Sequence, residues 1–117
     1  MKTSCFTRFT GATAIAAATA KLTEINRPFV LRSVRIHVGV APTTAENLVI
    51  ALTAKAGAAY NMTIHTIAMS GVTDLIIPFD PEIQFATGDI VTAAWTNTDA
   101  RTYGLVFEWG LPDRGGI

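Results

Sequence analysis

The chain has 117 residues, a length typical of one domain that can bury a core without a disulfide or a metal. Half of its residues are hydrophobic, 15% are charged and the formal net charge is zero, so the charge total gives no support to a nucleic-acid-binding role. So low a charged fraction indicates that part of the surface is buried against other protein subunits. Cys5 is the only cysteine, which excludes an intrachain disulfide and a thiolate metal site.

Basic and acidic residues are distributed unevenly along the chain. Residues 1–35 contain six basic residues and one acidic residue, whereas residues 36–117 contain three basic and eight acidic residues. The asymmetry is compatible with chance scatter over a folded surface. It is also compatible with head-to-tail complementarity between copies, or with a basic segment that docks on an acidic partner.

The N-terminal segment allows several interpretations. Its alanine-rich run follows a lysine, as in a signal peptide, but Arg8 and scattered threonines make the hydrophobic region weak, so no leader is predicted. No stretch reaches transmembrane length without a charge or a turn residue. Residues 1–12 are predicted to form an extended arm. The run TAIAAATAKL over residues 13–22 contains good helix formers, but its spaced threonines favour a strand.

Beyond Arg27, hydrophobic and polar residues alternate with a period of two, the pattern of half-buried β-strands. The predicted strands are RPFVLRSVRIHVG, NLVIALTA, YNMTIHTIA, VTDLIIPF, IQFATGD, IVTAAWTN and TYGLVFEWG, and the turns between them include APTTAEN, KAGAA, MSG, DPE and TDAR. With the N-terminal strand this makes about eight strands, which predicts an all-β fold: an antiparallel β-sandwich or jelly roll with an extended N-terminal arm. We expect the arm over residues 1–12, the sandwich over 13–111 and a C-terminal tail over 112–117.

The alternation also predicts which side chains face the core. Met62 and Ile64 are expected to face inward and His65 outward. Pro78 indicates an edge strand or a strand end, because proline cannot donate a ladder hydrogen bond. The large side chains of the last strand share one face and are expected to be buried: Tyr103, Leu105, Phe107 and Trp109.

The sequence contains no recognisable catalytic arrangement. Cys5 lies in the predicted arm, where a nucleophile would lack a fixed geometry. His37 and His65 are both predicted to face outward, and a metal site would need neighbouring strands and a third ligand, so solvated histidines are the simpler interpretation. Asp80 and Glu82 flank a proline, and turn formation explains them better than paired-carboxylate catalysis. No phosphate-binding glycine loop is present. We therefore predict no enzymatic activity and no cofactor.

Aromatic and basic residues lie close together near the N-terminus. Arg8 lies between Phe6 and Phe9, and Arg27 is followed two residues later by Phe29. A nucleic-acid site needs a larger basic patch, so the favoured interpretation is a segment that packs by phenylalanine and pairs by arginine with a protein partner. The residues predicted to contact that partner are Phe6, Arg8, Phe9, Arg27, Arg32 and Arg35.

Several phrases of the sequence are similar to those of a known class of proteins. The phrases APTTAENLVIAL, AGAAYN and FATGDIVTAAWTNTDARTYGLVF, with the lead-in NRPF, resemble small jelly-roll-like β-sandwich proteins among the virion structural proteins of tailed bacteriophages. The resemblance covers residues 26–109. It implies a non-enzymatic virion component of the capsid decoration or cement type, commonly trimeric and bound to the major capsid protein. It transfers no functional residue, because these proteins share a fold and an assembly habit rather than a motif.

Three functions stay open at this point. The first is a cement protein that bridges major capsid subunits and is located in the virion after assembly in the host cytoplasm. The second is a host-surface or carbohydrate-binding module of a head spike, fibre or tail tip, in which exposed Trp or Tyr side chains would stack on sugars, with Trp95 and Trp109 as the best candidates. The third is a neck or tail connector component. The predicted partners are the major capsid protein or another virion protein, and further copies of the chain, with no direct contact to nucleic acid or membrane.

Overall fold

The structure of the protein, a computed structural model, describes residues 4–23 and 25–112. Residues 1–3 of the predicted arm and residues 113–117 of the predicted tail lie outside the described residues. The elements are β1 (Cys5–Gly11), β2 (Lys21–Leu22), β3 (Phe29–Val38), β4 (Asn47–Thr53), a 3-10 turn (Ala58–Tyr60), β5 (Met62–Ala68), β6 (Asp74–Phe85), β7 (Ile90–Ala94) and β8 (Tyr103–Gly110). None of the described residues belongs to a helix that is long and apolar enough to cross a membrane.

The strands form two four-stranded antiparallel sheets. Sheet I has the order β1-β8-β3-β6 and sheet II the order β2-β7-β4-β5. Consecutive strands from β5 to β8 alternate between the sheets, and each sheet interleaves early with late strands, which is the jelly-roll arrangement of two Greek keys. The predicted fold class, an all-β antiparallel sandwich of about eight strands, is confirmed.

The core lies between the inner faces of the two sheets. Strand β8 contributes its alternate large residues to this core, as the period-two pattern predicts, and Trp109 packs against the core from the strand end. The buried residues are Ile15, Ala20, Leu22, Phe29, Leu31, Val34, Ile36, Val38, Leu48, Ile50, Met69, Ile77, Phe85, Val91, Ala93, Trp95, Tyr103, Leu105 and Phe107.

The described part of the predicted arm is a strand of the sandwich. Residues Cys5–Gly11 pair with β8 along their whole length, from Cys5 opposite Trp109 to Gly11 opposite Tyr103. Alternation turns Phe9 toward the interior, where its ring meets that of Phe107 edge-on. Residues 5–11 are therefore an edge strand of sheet I, and the domain limits of 13–111 stay a prediction.

The strand predicted over residues 13–22 is largely replaced by irregular structure. Ile15 pairs with Trp95 as an isolated bridge, and residues 16–20 form a turn. Only Lys21–Leu22 join sheet II, against β7. The physical reason is the alanine content of the segment, because alanine has no branched side chain to pack on a pleated surface.

Strand β6 continues through the segment that was predicted as a turn. The register of β6 against β3 shifts at Arg32: Ser33 opposes Pro78, whereas the residue before Arg32 opposes Ile83. Residues 79–82, which contain the DPE segment, therefore bulge within one long strand, and the predicted turn between two strands is wrong. Pro78 lies on an edge strand, as predicted, where its missing N–H interrupts no internal ladder.

A second bulge reverses the predicted orientation of His65. His65 lies opposite Ile50, and the register then shifts so that Ile64 is the extra residue. Because directly opposite residues share a face, His65 lies on the same side of sheet II as buried Ile50. The predicted outward orientation of His65 is wrong: its half-buried ring lies edge-on to Phe79, with the centroids 6.4 Å apart. Met62, which was predicted to face inward, is exposed.

Two carboxylates join the loops at one end of the sandwich. Asp99, between β7 and β8, accepts hydrogen bonds from the amides of Thr43 and Thr44 at 2.8 and 2.9 Å and from the Thr44 hydroxyl at 2.7 Å. In the opposite direction, the Glu46 carboxylate accepts the amide and the hydroxyl of Thr98. The loop before β4 and the loop before β8 therefore hold each other in place.

We expect Asp99→Asn to lower the thermal midpoint at neutral pH and to flatten its acid dependence. The amide and hydroxyl of Thr44, followed by the amide of Thr43, lower the pKa of Asp99 from 3.8 to about 2. Since the folded pKa lies below the unfolded one, the contribution of this carboxylate to stability is complete above about pH 4 and is lost as the pH falls toward 2. Thermal melts of both proteins between pH 7 and pH 2 measure the effect.

The matched control is Asp80→Asn, which neutralises an exposed carboxylate on β6. It should leave the wild-type acid dependence between pH 4 and pH 2 in place. If the thermal midpoint falls equally for wild type and Asp99→Asn between pH 4 and pH 2, the Asp99 hydrogen bonds do not contribute to stability.

Candidate partner-binding surface

We call the outward side chains of sheet I its outer face. These side chains form three rows, each of which crosses all four strands. The registers of β1, β8, β3 and β6 place these residues opposite one another. The first row contains Phe6, Glu108, Ser33 and Pro78; the second Arg8, Val106, Arg35 and Ile76; the third Thr10, Gly104, His37 and Asp74. Three of the predicted contact residues, Phe6, Arg8 and Arg35, therefore meet on one surface.

An aromatic ring and two guanidinium groups form the centre of this surface. The guanidinium carbons of Arg8 and Arg35 lie 5.7 and 5.6 Å from the centroid of the Phe6 ring. Each of these cation–π contacts is worth about 0.5–1 kcal/mol where water has access. The Phe6 side chain is nevertheless 42% exposed, so the ring is oriented by its neighbours without being covered by them.

Glu108 fixes the position of Arg35 within this surface. Its carboxylate accepts hydrogen bonds from the hydroxyls of Ser33 at 2.8 Å and Ser4 at 3.0 Å, and from the Arg35 guanidinium at 3.3 Å. The pKa of Glu108 lies below its ordinary value, mainly because Ser33 donates a hydrogen bond to the carboxylate. Ser4 and Arg35 lower this pKa further. With two arginines against one carboxylate, the first two rows carry a net positive charge.

The remaining predicted contact residues lie elsewhere. Phe9 faces the interior, with its ring centroid 6.0 Å from that of Phe107. Arg32 sits at the bulge of β3 with a side chain only 9% exposed, and its Nε donates to Glu82 at 2.9 Å. Arg27 is exposed, but it lies in the loop between β2 and β3 rather than on the outer face of sheet I. These three residues are therefore not part of the outer face of sheet I.

Apolar members of the surface were not among the predicted contact residues. Ile76 is 66% exposed on edge strand β6, opposite Arg35, and Val106 lies between Arg35 and Arg8 in the same row. The sequence does contain a signal for Ile76, because the alternation that buries Ile77 turns Ile76 outward. That Ile76 lies beside Arg35 follows only from the register of the strands.

Metal-ligating side chains do not cluster in the part of the chain that the structure describes. Within residues 4–23 and 25–112, no three His, Cys, Asp or Glu side chains are placed to hold a metal ion. His37 lies on β3 in sheet I, with Nδ1 2.6 Å from Asp74 Oδ1, whereas His65 lies on β5 in sheet II. The two histidines therefore do not share the neighbouring strands that a joint metal site would need.

The two tryptophans do not offer an open sugar-stacking platform. Trp95 is 2% exposed and lies edge-on to Tyr103, in the core. Trp109 is partly buried, and its indole N–H donates to the Thr7 hydroxyl at 3.0 Å. The carbohydrate-binding alternative thus loses its two best candidate side chains.

The outer side of sheet II has a different character. A shallow depression of about 360 Å³ lies there, lined by Ala14, Ile15, Asn47, Val49, Ala94, Trp95 and Thr96. Its lining is formally uncharged, and its polar side chains are those of Asn47 and Thr96.

Comparisons with known proteins were made by family, by sequence and by structure. No family model matches the chain, and no curated protein matches its sequence. Among solved structures, the chain is similar to the Drosophila NLP core, described in connection with pentamer formation and histone binding (TM-score 0.49, 12% identity, covering 95% of this chain and 99% of that one).

Two further structures belong to assemblies. The acid-stable capsid of the Helicobacter pylori bacteriophage KHP30 has a TM-score of 0.49 and 11% identity, covering 97% of this chain and 95% of that one. A protein of the disulfide-linked pili that form Bacillus endospore appendages has a TM-score of 0.41 and 12% identity, covering 96% and 92%. Likenesses this remote assign neither a partner nor an activity to the chain.

Proposed function

We propose that the protein is a non-enzymatic structural component of a virus particle, of the capsid decoration or cement kind. It binds the major capsid protein through the outer face of sheet I. The observation that carries this proposal is the cluster of Phe6, Arg8 and Arg35, which presents an exposed aromatic ring and two guanidinium groups on a rigid sheet. The sequence resemblance of residues 26–109 to virion structural proteins gives the class of partner.

The chemistry of the surface supports a partner of complementary character. Aromatic and arginine side chains are the residues that most often dominate protein interfaces. Ile76 and Val106 extend the apolar area beside them, while Arg8 and Arg35 attract carboxylates. A matching partner surface is therefore an apolar patch that carries acidic side chains. Binding at many sites on a shell tolerates weak individual contacts, because avidity multiplies them.

The first experiment is to count the protein in purified virus particles by quantitative mass spectrometry against the major capsid protein. We expect a fixed ratio of hundreds of copies, as a component of the shell requires. A count of six or twelve would contradict the cement role and favour a neck or tail connector. Absence from the particle would overturn the virion role altogether.

We expect Arg8→Glu and Phe6→Ala each to weaken binding to capsids by about tenfold or more. The first variant replaces an attracting charge with a repelling one, and the second removes the exposed ring; a tenfold loss corresponds to about 1.4 kcal/mol. Binding is measured by adding purified protein to particles that lack it and titrating the bound fraction.

Lys55→Glu is the matched control for the charge change. Lys55 is exposed in the loop between β4 and β5, away from the outer face of sheet I, and its reversal should leave the affinity within about twofold. If Arg8→Glu and Phe6→Ala bind as tightly as the control, the outer face of sheet I is not the binding surface.

A further inference from the structure

The four strand edges of the sandwich differ in how they resist pairing with another chain. Strand β2 is only two residues long, and the edge of β6 is interrupted by Pro78, Pro81 and the bulge between them. Strand β1 carries Arg8. Short strands, prolines, bulges and charges are the devices by which proteins block open sheet edges.

Strand β5 differs from these edges. Its sequence MTIHTIA contains neither a proline nor an acidic or basic residue other than His65, which lies on the inner face. No strand of the described chain pairs with its outer edge. The bulge at Ile64 interrupts the first half of the strand, which leaves His65–Ala68 as a regular ladder with free backbone donors and acceptors.

The side chains around this edge are apolar or uncharged. Five large hydrophobic side chains are exposed among the described residues, and two of them lie beside this edge: Tyr60, 66% exposed and two residues before β5, and Met62, 59% exposed and the first residue of β5. The residues that share the outward side of this edge, Thr63, Thr66 and Ala68, are small and neutral. The edge thus combines unpaired backbone groups with apolar contact area and offers no charge that would select a charged partner.

We propose that β5 pairs antiparallel with β5 of a second copy of the chain, joining two sheets II into one continuous eight-stranded sheet. The choice of a second copy as the partner follows from the charge of the β5 edge and from the symmetry of such a pair. A two-fold axis brings the residues nearest to it against their own counterparts and pairs the other residues of β5 with one another, so an uncharged edge meets its own copy without like-charge repulsion. This contact lies on sheet II, so it leaves the outer face of sheet I free, and it does not depend on the proposed role in a virus particle.

Sedimentation velocity over increasing protein concentration tests the pairing. One strand pair with flanking Tyr60 and Met62 is a small interface, so we expect a weak, concentration-dependent dimer. Thr66→Lys places a lysine on the edge and brings two positive charges together across the axis, and it should weaken dimerisation at least tenfold. Thr10→Lys, the same change at an exposed threonine of edge strand β1, should not alter it.

Cysteine cross-linking keeps the test independent of affinity. In a Cys5→Ser background, single cysteines at positions 63, 66 and 68 are oxidised, and the position nearest the axis should form a disulfide-linked dimer in high yield, because opposed Cα atoms lie within disulfide reach. A cysteine at position 10 is the control. A wild type that stays monomeric up to about 1 mM, or cross-linking no better at these positions than at the control, would overturn the proposal.

Discussion

Phe107→Ala is expected to lower the free energy of unfolding by about 3–5 kcal/mol. Phe107 has no exposed surface and lies on β8, which is paired on both sides, by β1 and by β3. Its ring meets the ring of Phe9 edge-on, with the planes at 85°. Because β8 is held in ladders with both flanking strands, its backbone cannot collapse into the vacated volume, so the cavity persists. Urea unfolding at constant m-value measures the loss directly.

Phe6→Ala provides the internal comparison for this experiment. It is the same substitution on a neighbouring strand, but Phe6 points outward and leaves no cavity in the core. We expect it to lower the free energy of unfolding by no more than about 2 kcal/mol, which covers the loss of its contacts with both Arg8 and Arg35. Equal losses for the two variants would mean that the inner and outer faces of sheet I are wrongly assigned.

The contrast between these two phenylalanines shows how far the sequence determines the fold. Strand β8 is readable in isolation, because large residues occur at every second position over its whole length and one face must be buried. The same alternation in β3, β4 and β7 predicts an all-β sandwich, and the number of such segments predicts about eight strands. Local period and turn chemistry are enough for this level of description.

Strand phase and strand partners are less accessible from the sequence. The bulges at Arg32 and Ile64 arise because neighbouring strands must keep their own buried faces in register, and the sequence around each bulge does not contain that requirement. His65 was therefore assigned to the wrong face. The partner of β1 is β8, nearly a full chain length away, so no local pattern distinguishes this strand from an arm.

Only Phe6, Arg8 and Arg35 of the candidate surface were among the contact residues predicted from the sequence, and their arrangement was not predictable. Phe6, Phe9 and Arg8 lie within four positions, and either phenylalanine could have faced outward until pairing with β8 fixed the phase. Arg35 is nearly thirty residues further along the chain, and it joins Phe6 only because β8 lies between their strands. Arg32 is close to Arg35 in sequence, but its side chain forms a salt bridge with Glu82 at the bulge and is not part of the outer face of sheet I.

The largest effect is expected from deleting residues 1–11. The deletion removes all seven residues of β1, takes Phe9 from the side of Phe107 and removes the Thr7 hydroxyl that accepts the Trp109 indole N–H. It also exposes the backbone edge of β8, which is apolar on its inner face and prone to pair with other chains. We expect loss of the cooperative thermal transition and formation of soluble aggregates, measured by circular dichroism and size-exclusion chromatography.

Deletion of residues 1–3 is the control, because it leaves β1 intact and should melt like the full chain. If the protein without residues 1–11 also stays free of aggregates and melts cooperatively near the wild-type midpoint, β1 is an arm outside the sandwich, as the sequence alone predicts. The distinction decides how binding experiments are designed. A protein that fails to bind capsids after losing β1 has lost its fold together with its surface, whereas Arg8→Glu and Phe6→Ala alter only the outward side of a strand that stays in place.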